Sequence, residues 1–566
     1  MKFASSVVSL LATTSGTCAF TMGPAVALGR ASLALLPMSM STTTTTTTSA
    51  ATEEATCTDT DSNSSSDAYE ELVSYLQDIT HLSRASAVLG YDQMVFMPQT
   101  DQASKARGQQ SAALAAVIHD KSTSQQLGQL LEQAAKATTS AEQERVLALA
   151  TKAYQKKINI PTALASQQAS LSAEAYNTWA KARADKDYSQ FQDIFGDCIQ
   201  VAKEVAEVVQ TPEEKEAKKS LYATMLDEFE TGMDPVRMDE LFAEIQQALV
   251  PLIDKVLGDN ATPPDTSYLS GQFDVPAQEA LSKQIVRQIG FDDTNGRMDV
   301  SVHPFSSGIS KHDVRITTRF REDEWYQGLA GSMHEAGHAM YEQNLGDSGL
   351  PVDSALSMGM HESQSLFWER HVGLSKPFWQ FAAPLVNENL GMDATSAQLY
   401  GAVNHASRSL IRVEADELTY PLHVILRYRL EREFVEGRLD VKDIPTEWNK
   451  SMQELLNVDV PDDAMGCLQD VHWSMMAYGY FPTYLLGAAT AAQWAHYCQQ
   501  DIPDFDDRVA AGEFDEIKAW MIEKVHQHGS RYTSLDEHLQ AQVGEPLNPK
   551  YFIDYLTKKY TELYKC

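Results

Sequence analysis

Residues 323–344 read DEWYQGLAGSMHEAGHAMYEQN, a helical-looking stretch that carries His334-Glu335-Ala336-Gly337-His338. On a helix, positions four apart share a face, so the imidazoles of His334 and His338 converge on one point, one turn apart. That point suits Zn²⁺, which accepts two neutral ring nitrogens. Glu335 is turned about 100° from His334 and about 60° from His338, which sets its carboxylate beside the metal position, able to take a proton from a metal-activated water.

A catalytic zinc takes three protein ligands and keeps one position open. The extended pattern with a third histidine is absent, because Asn344 stands six residues after His338. Instead, His361-Glu362-Ser363-Gln364 heads a stretch with Leu366, Phe367 and Trp368, compatible with a second helix packed on the first. Glu362 is the expected third ligand, and His361 is the alternative.

Outward from these motifs the chain looks helical throughout. Gly (29) and Pro (21) among 566 residues are both sparser than the usual ~7% and ~5%, which favours long helices over many short strands. Asp234 and Pro235 supply an N-cap and first-turn proline, after which Met238, Leu241, Ile245, Leu249 and Leu252 follow at spacings of three and four. A Pro/Gly/Asp-rich stretch at 258–271 is the best internal break, a place where one large helical body would become bilobed. Residues 298–302 and 313–318 have the β-branched look of a small strand pair. Six cysteines, none in a CxxC pair, argue against a disulfide scaffold or thiolate zinc.

The first 66 residues are a different polymer. Residues 1–52 hold no Asp or Glu and only two bases, Lys2 and Arg30. A short apolar stretch at 7–12 leads to small residues and Cys18-Ala19-Phe20, the layout of a signal peptide. A hydroxyl-rich tail with seven threonines at 42–48 then runs to Ser66, too polar to bury a core and expected to be disordered. Together these resemble the bipartite presequence of algae whose plastids lie inside extra membranes. The expected division is therefore a targeting presequence and linker at 1–66 and a catalytic domain at 67–566, located in an organelle, with plain secretion or a misassigned start codon as alternatives. No apolar run reaches the ~20 residues that span a bilayer, so no membrane is expected as a partner.

The ordered motifs resemble the Taq-type metallocarboxypeptidases, the M32 peptidase family. The matching blocks are His303-Pro304-Phe305; the run at 313–318 with Asp313, Arg315 and Thr317; HEAGH; His361-Glu362-Ser363-Gln364; the run at 411–420 with Arg412, Asp416 and Glu417; and the run at 466–473 with Gln469, Asp470, His472 and Trp473. A further segment at 479–484 and an N-terminal signature with Tyr91-Asp92-Gln93 extend the likeness over roughly 70–560. The resemblance implies a mainly α fold, a large helical gluzincin-like saddle with a deep groove and a small β-sheet, commonly a homodimer. It implies a metal-dependent carboxypeptidase that removes single residues from peptides with a free C-terminal carboxylate, with broad specificity. Metal ligation falls on His334, His338 and Glu362, with one Zn²⁺ (or Co²⁺) per subunit, and general base and acid catalysis on Glu335. The family usually has Trp where this chain has Tyr91, and tends to Gly and Ser where Met475 and Met476 stand, so substrate preference is the property these departures touch.

A free α-carboxylate is gripped best by a planar guanidinium. Arg412 is the candidate clamp, its structural alternative being an ion pair with Glu414, Asp416 or Glu417; Arg315 is the second choice. For the developing oxyanion, Tyr480 and His472 rank ahead of His303 and Tyr484. Asp416, Glu417 and Asp470 are candidate acceptors behind the ligating imidazoles. A thimet-type oligopeptidase would share the zinc motif but cut internally.

The formal charge of −33, from 45 bases and 78 acids, disfavours nucleic acid as a partner. Residues 1–66 hold two bases and four acids, so the body carries −31 of it. Every carboxypeptidase substrate ends in an anion that this field repels, so the groove needs a local excess of positive charge from metal and arginine. The same field favours peptides with cationic side chains. Arg-ended peptides are expected to be cleaved faster than Glu-ended ones at low salt, with the gap closing as salt rises; equal rates at low salt would contradict the reading.

Overall fold

The computed structural model describes residues 61–138 and 140–566. Residues 1–60, on which most of the expected presequence falls, lie outside the described residues. The first helix begins at Asp61, inside the stretch that composition assigned to linker.

Seven helices position the site: α1 (Asp61–Val95), α2 (Pro235–Val256), α3 (Tyr326–Asn344), α4 (Met358–Leu366), α5 (Tyr420–Val435), α6 (Phe481–Asp501) and α7 (Lys550–Tyr564). α2 starts as its sequence dictates. The Asp234 carboxylate accepts the Val236 N–H at 2.8 Å, Pro235 fills the first turn, and Met238, Leu241, Ile245, Leu249 and Leu252 are all buried. The segment 258–271 is a loop with one short 3₁₀ turn, Ser267–Leu269. It does not divide the core, because side chains from Ala175 to Tyr564 on both sides of it form one hydrophobic cluster. A separate small core sits near the N-terminus, where Leu72 and Leu76 of α1 meet Leu127, Leu130, Leu131, Val146 and Leu147. Among the described residues no helix is long and apolar enough to cross a membrane.

The described residues are mainly α with one three-stranded sheet, β1 (Gly296–Val300), β2 (Phe305–Ser310) and β3 (Asp313–Thr318), in the order β1-β3-β2. The expected strand pair is present as the parallel β1 and β3, with Met298 opposite Ile316. β1 starts and ends two residues earlier than expected. The intervening β2, antiparallel to β3, was missed because Ser306, Ser307 and Gly308 are poor β-formers. Tyr91 of α1 is buried against Phe305 and donates its hydroxyl to Asp299 at 2.5 Å, so here the aromatic ties the first helix to the sheet.

α4 is seated between α3 and α6 by three glycines. A Cβ at Gly337 of α3 would lie 2.5 Å from the Gln364 carbonyl oxygen and 2.6 Å from the Ser365 Cα. One at Gly487 of α6 would lie 2.7 Å from the Glu362 Cβ, and one at Gly359 would lie 2.5 Å from a carboxylate oxygen of Glu230. Past Leu366 the helix continues as a π-helix, Phe367–Gly373, a widened turn of the kind that often marks functional sites.

Gly337→Ala is expected to destabilise the protein by about 1–3 kcal/mol, because the methyl meets backbone that cannot rotate away. Gly90→Ala, in α1 with nothing within 4 Å of the added carbon, is expected to be neutral or stabilising by up to about 1 kcal/mol. Urea unfolding of the two variants checks the contrast, and equal midpoints would contradict it.

Candidate metal centre

The structure brings His334, His338 and Glu362 together. The two imidazoles on one face of α3 have ring centroids 4.9 Å apart. Glu362 Oε2 lies 3.8 Å from His334 Nε2 and 3.5 Å from His338 Nε2, and one ligand atom from each residue falls within 4.8 Å of the others. The far side of each ring is held. His338 Nδ1 is 3.0 Å from the His361 carbonyl oxygen, which can only accept, so the proton sits on Nδ1 and the Nε2 lone pair is left free. His334 Nδ1 lies 2.8 Å from Glu369 Oε2. The His361 ring stacks on that of His338 at 4.4 Å, but its Nε2 is committed to Glu342 Oε1 at 2.9 Å, so its carbonyl and not this nitrogen meets a candidate ligand.

The electrostatics describe a pocket short of positive charge. Burial lifts Glu335 to about 7, and among the described residues its carboxylate has no hydrogen-bond partner. Burial alone would depress His334, but Glu362, Glu369 and Glu335 outweigh it and raise the imidazole to about 9. His338 is pushed down to about 3 by burial, with His361 and His334 adding to the effect. Glu362 falls to about 2 because His334 and His338, helped by Arg370, overcome its burial. Three carboxylates around two imidazoles, largely shielded from water, make a donor set that fits a divalent cation.

The acceptors proposed from sequence are elsewhere. Asp416 caps a turn, receiving the N–H groups of Ser407, Leu418 and Thr419. Glu417 is buried against Lys559 at 2.6 Å and Tyr555 at 3.1 Å. Asp470 binds arginines. Glu369 and the His361 carbonyl stand behind the imidazoles instead. The one sequence signal for Glu369 was its place seven residues, two helical turns, after Glu362.

Arg412 is buried, with Nε and Nη2 on Asp470 Oδ1 at 3.1 and 3.0 Å and Nη1 on the Tyr420 hydroxyl at 3.1 Å. Its ion-pair partner is thus Asp470, not Glu414, Asp416 or Glu417, and Arg427 shares that carboxylate through a 2.6 Å bond. Arg315 is committed to Asp313 by two 2.7 Å bonds. His472 packs on Phe481 and Tyr480 at 4.5 and 5.3 Å, and is kept neutral, about 3, by burial and by Arg412 and Arg427. Tyr480 stands half-buried among Phe229, His472 and Tyr484. Glu431 of α5, missed in the sequence, fixes this loop: it accepts from Trp473 Nε1 at 2.8 Å, the Gly479 N–H at 3.0 Å and the Tyr222 hydroxyl at 3.1 Å. The two constellations adjoin: burial raises the hydroxyls of Tyr420 and Tyr484, Arg412 opposes it, and the charge of Glu362 reaches both.

Comparison with known proteins agrees with the architecture. Residues 71–560 match the family model described as carboxypeptidase Taq (M32) metallopeptidase. Carboxypeptidase 1 of Bacillus subtilis is 36% identical over 88% of this chain and 98% of its own length. Thermostable carboxypeptidase 1 of Thermus thermophilus is 35% identical over 88% and 99%. The crystal structure of the M32 carboxypeptidase from Deinococcus radiodurans superposes with a TM-score of 0.83 at 33% identity, covering 88% of this chain and all of that one.

Glu230 is the fully buried carboxyl at the start of α4, 3.0 Å from the Gly359 N–H that donates to it, and burial lifts it to about 7 despite bonds from Ser357 and Gly359. A group raised in the folded state stabilises fully below its unfolded value, near 4.5, and that contribution is lost as pH rises through 7. Glu230→Gln cannot ionise, so its stability relative to the parent is expected to climb by about 3 kcal/mol between pH 4.5 and 7. Parallel stability curves for the two proteins would refute this.

Proposed function

The chain belongs to the carboxypeptidase Taq (M32) metallopeptidase family and is a metal-dependent carboxypeptidase, and we propose that His334, His338 and Glu362 hold its metal while Glu335 moves the proton of peptide hydrolysis. The observation that carries this reading is the convergence of two Nε2 atoms and a carboxylate within 4.8 Å, with an acceptor behind each imidazole. Two neutral nitrogens and one oxygen suit Zn²⁺ and also accept Co²⁺; our reading is one zinc per chain.

When bound, the ion supplies Lewis-acid polarisation of the scissile carbonyl and of the attacking water. Glu335 takes a proton from that water as the C–O bond forms, and later delivers it to the departing amine as the C–N bond breaks. A carboxyl that burial lifts toward neutrality can do both. Glu369 keeps the His334 ring in the orientation that presents Nε2. Arg412, positioned by Asp470 and Tyr420, retains one undonated N–H on each Nη and is our candidate for gripping the substrate α-carboxylate. Tyr480 and neutral His472 are the donors we assign to the developing oxyanion.

Incubation of the purified protein with a short peptide, followed by mass, tests the reading. Single residues are expected to leave a free-acid peptide stepwise, and chelation to stop this. The same peptide closed as a C-terminal amide is expected to be spared, and internal fragments from it would overturn the reading. Glu335→Gln is expected to lower kcat by about 10²–10⁴ with metal retained. Glu369→Gln is expected to weaken metal affinity by about 10–100-fold, measured by competition with a chelating dye; undiminished affinity would remove it from the site.

A further inference from the structure

Arg370, in the π-helix that follows Glu362, differs from the other arginines around the site. Its guanidinium lies over the Tyr420 ring, 5.3 Å from the centroid, and Arg412 lies over the same ring at 6.0 Å. Glu369, Glu417 and Glu362 are near enough to act on its charge. Each of them is engaged elsewhere: Glu369 with His334, Glu417 with Lys559 and Tyr555, and Glu362 in the metal cluster. Among the described residues Arg370 therefore makes no ion pair, and its Nη1, shut off from solvent, has no acceptor at all. The other arginines weighed for the site are each paired, Arg412 and Arg427 with Asp470 and Arg315 with Asp313, and Arg412 keeps spare N–H groups beyond its pair.

Glu369 and Glu417 hold the charge of Arg370 against its burial, but a desolvated guanidinium N–H left without an acceptor still forfeits a charge-assisted hydrogen bond. A carboxylate is its best complement, because the planar fork offers two parallel N–H bonds of matching geometry. The position suits a substrate group: Arg370 stands about two helical turns beyond Glu362, still near enough to feel its charge, and shares the Tyr420 ring with Arg412. It also supplies the local positive charge that an acidic body needs in order to hold an anionic peptide end.

We propose that Arg370 is a substrate-binding residue that receives a carboxylate of the peptide's C-terminal residue, beside Arg412. The inference rests on the carboxypeptidase reading of the centre. The carboxylate has two sources, the α-carboxyl common to every substrate and the side chain of a terminal Asp or Glu.

The test uses full-length, metal-loaded protein in a Glu335→Gln background, so that peptide binds without turnover, and compares it with the same protein carrying Arg370→Gln. Calorimetric titration with peptides ending in Ala, in Glu and in Ala-amide reads the dissociation constants. An increase of about tenfold or more for both free acids and not the amide upholds the proposal with the α-carboxyl as ligand. The same increase for the Glu-ended peptide alone upholds it with the side chain as ligand. Unchanged constants for both acids, or equal weakening of the amide, overturn it. With Glu335 intact, Arg370→Gln is expected to raise KM, leave kcat within about twofold and keep one metal per chain, while Arg370→Lys recovers part of the affinity. A fall in metal content or in kcat alone would overturn the proposal in favour of mere support of Glu362 and Glu369. A parent that binds free acid and amide equally would instead count against the carboxypeptidase reading itself.

Discussion

With no side chain at Gly337, the backbone of α4 at Gln364 and Ser365 comes against α3 between its two histidines. That approach sets the depth at which Glu362 reaches the imidazoles. Gly487 of α6 closes on Glu362 from another direction, and Gly359 admits the Glu230 carboxylate at the helix start. Helices packed through ordinary side chains stand 8–10 Å apart. Here small residues shorten the distance so that ligands on two different helices meet at one point.

The same burial creates an electrostatic problem that organises the neighbouring side chains. Glu335, Glu362 and Glu369 stand in a region from which water is largely excluded, and two imidazoles compensate them only in part. A divalent ion completes the balance, which is why the pocket reads as a cation site before any resemblance is invoked. A few residues away the sign reverses: Arg412 and Arg427 share the single carboxylate of Asp470, whose own burial they overcome. Arg370 adds a further positive charge that, among the described residues, makes no ion pair and leaves Nη1 without an acceptor. A cation-seeking pocket beside an excess of guanidinium suits a substrate whose scissile carbonyl and free carboxylate must be held a short distance apart.

Much of this was legible in the sequence because it depends on helical period. His334 and His338 at a spacing of four, Glu335 between them, and the Asp234–Pro235 start of α2 follow from one angle per residue. Glu362 was legible from its motif and the apolar residues after it. What escaped were features that arise only when distant segments meet. Asp470 reaches Arg412 across 58 residues, so the nearer acids misled the sequence reading. Glu369 depends on the widened turn Phe367–Gly373, which no residue pattern announced. β2 is ordered by β3 and α3 in spite of its serines and glycine, and Gly337 shows its role only once Gln364 lies against it.

A crystal grown with Zn²⁺ and measured at both sides of the zinc absorption edge tests the central claim most directly. The account requires one anomalous peak per chain, bonded by Nε2 of His334, Nε2 of His338 and a carboxylate oxygen of Glu362, at about 2.0–2.2 Å each. A peak held by the His361 ring in place of Glu362, or no peak between α3 and α4 in protein that still releases C-terminal residues, would contradict it.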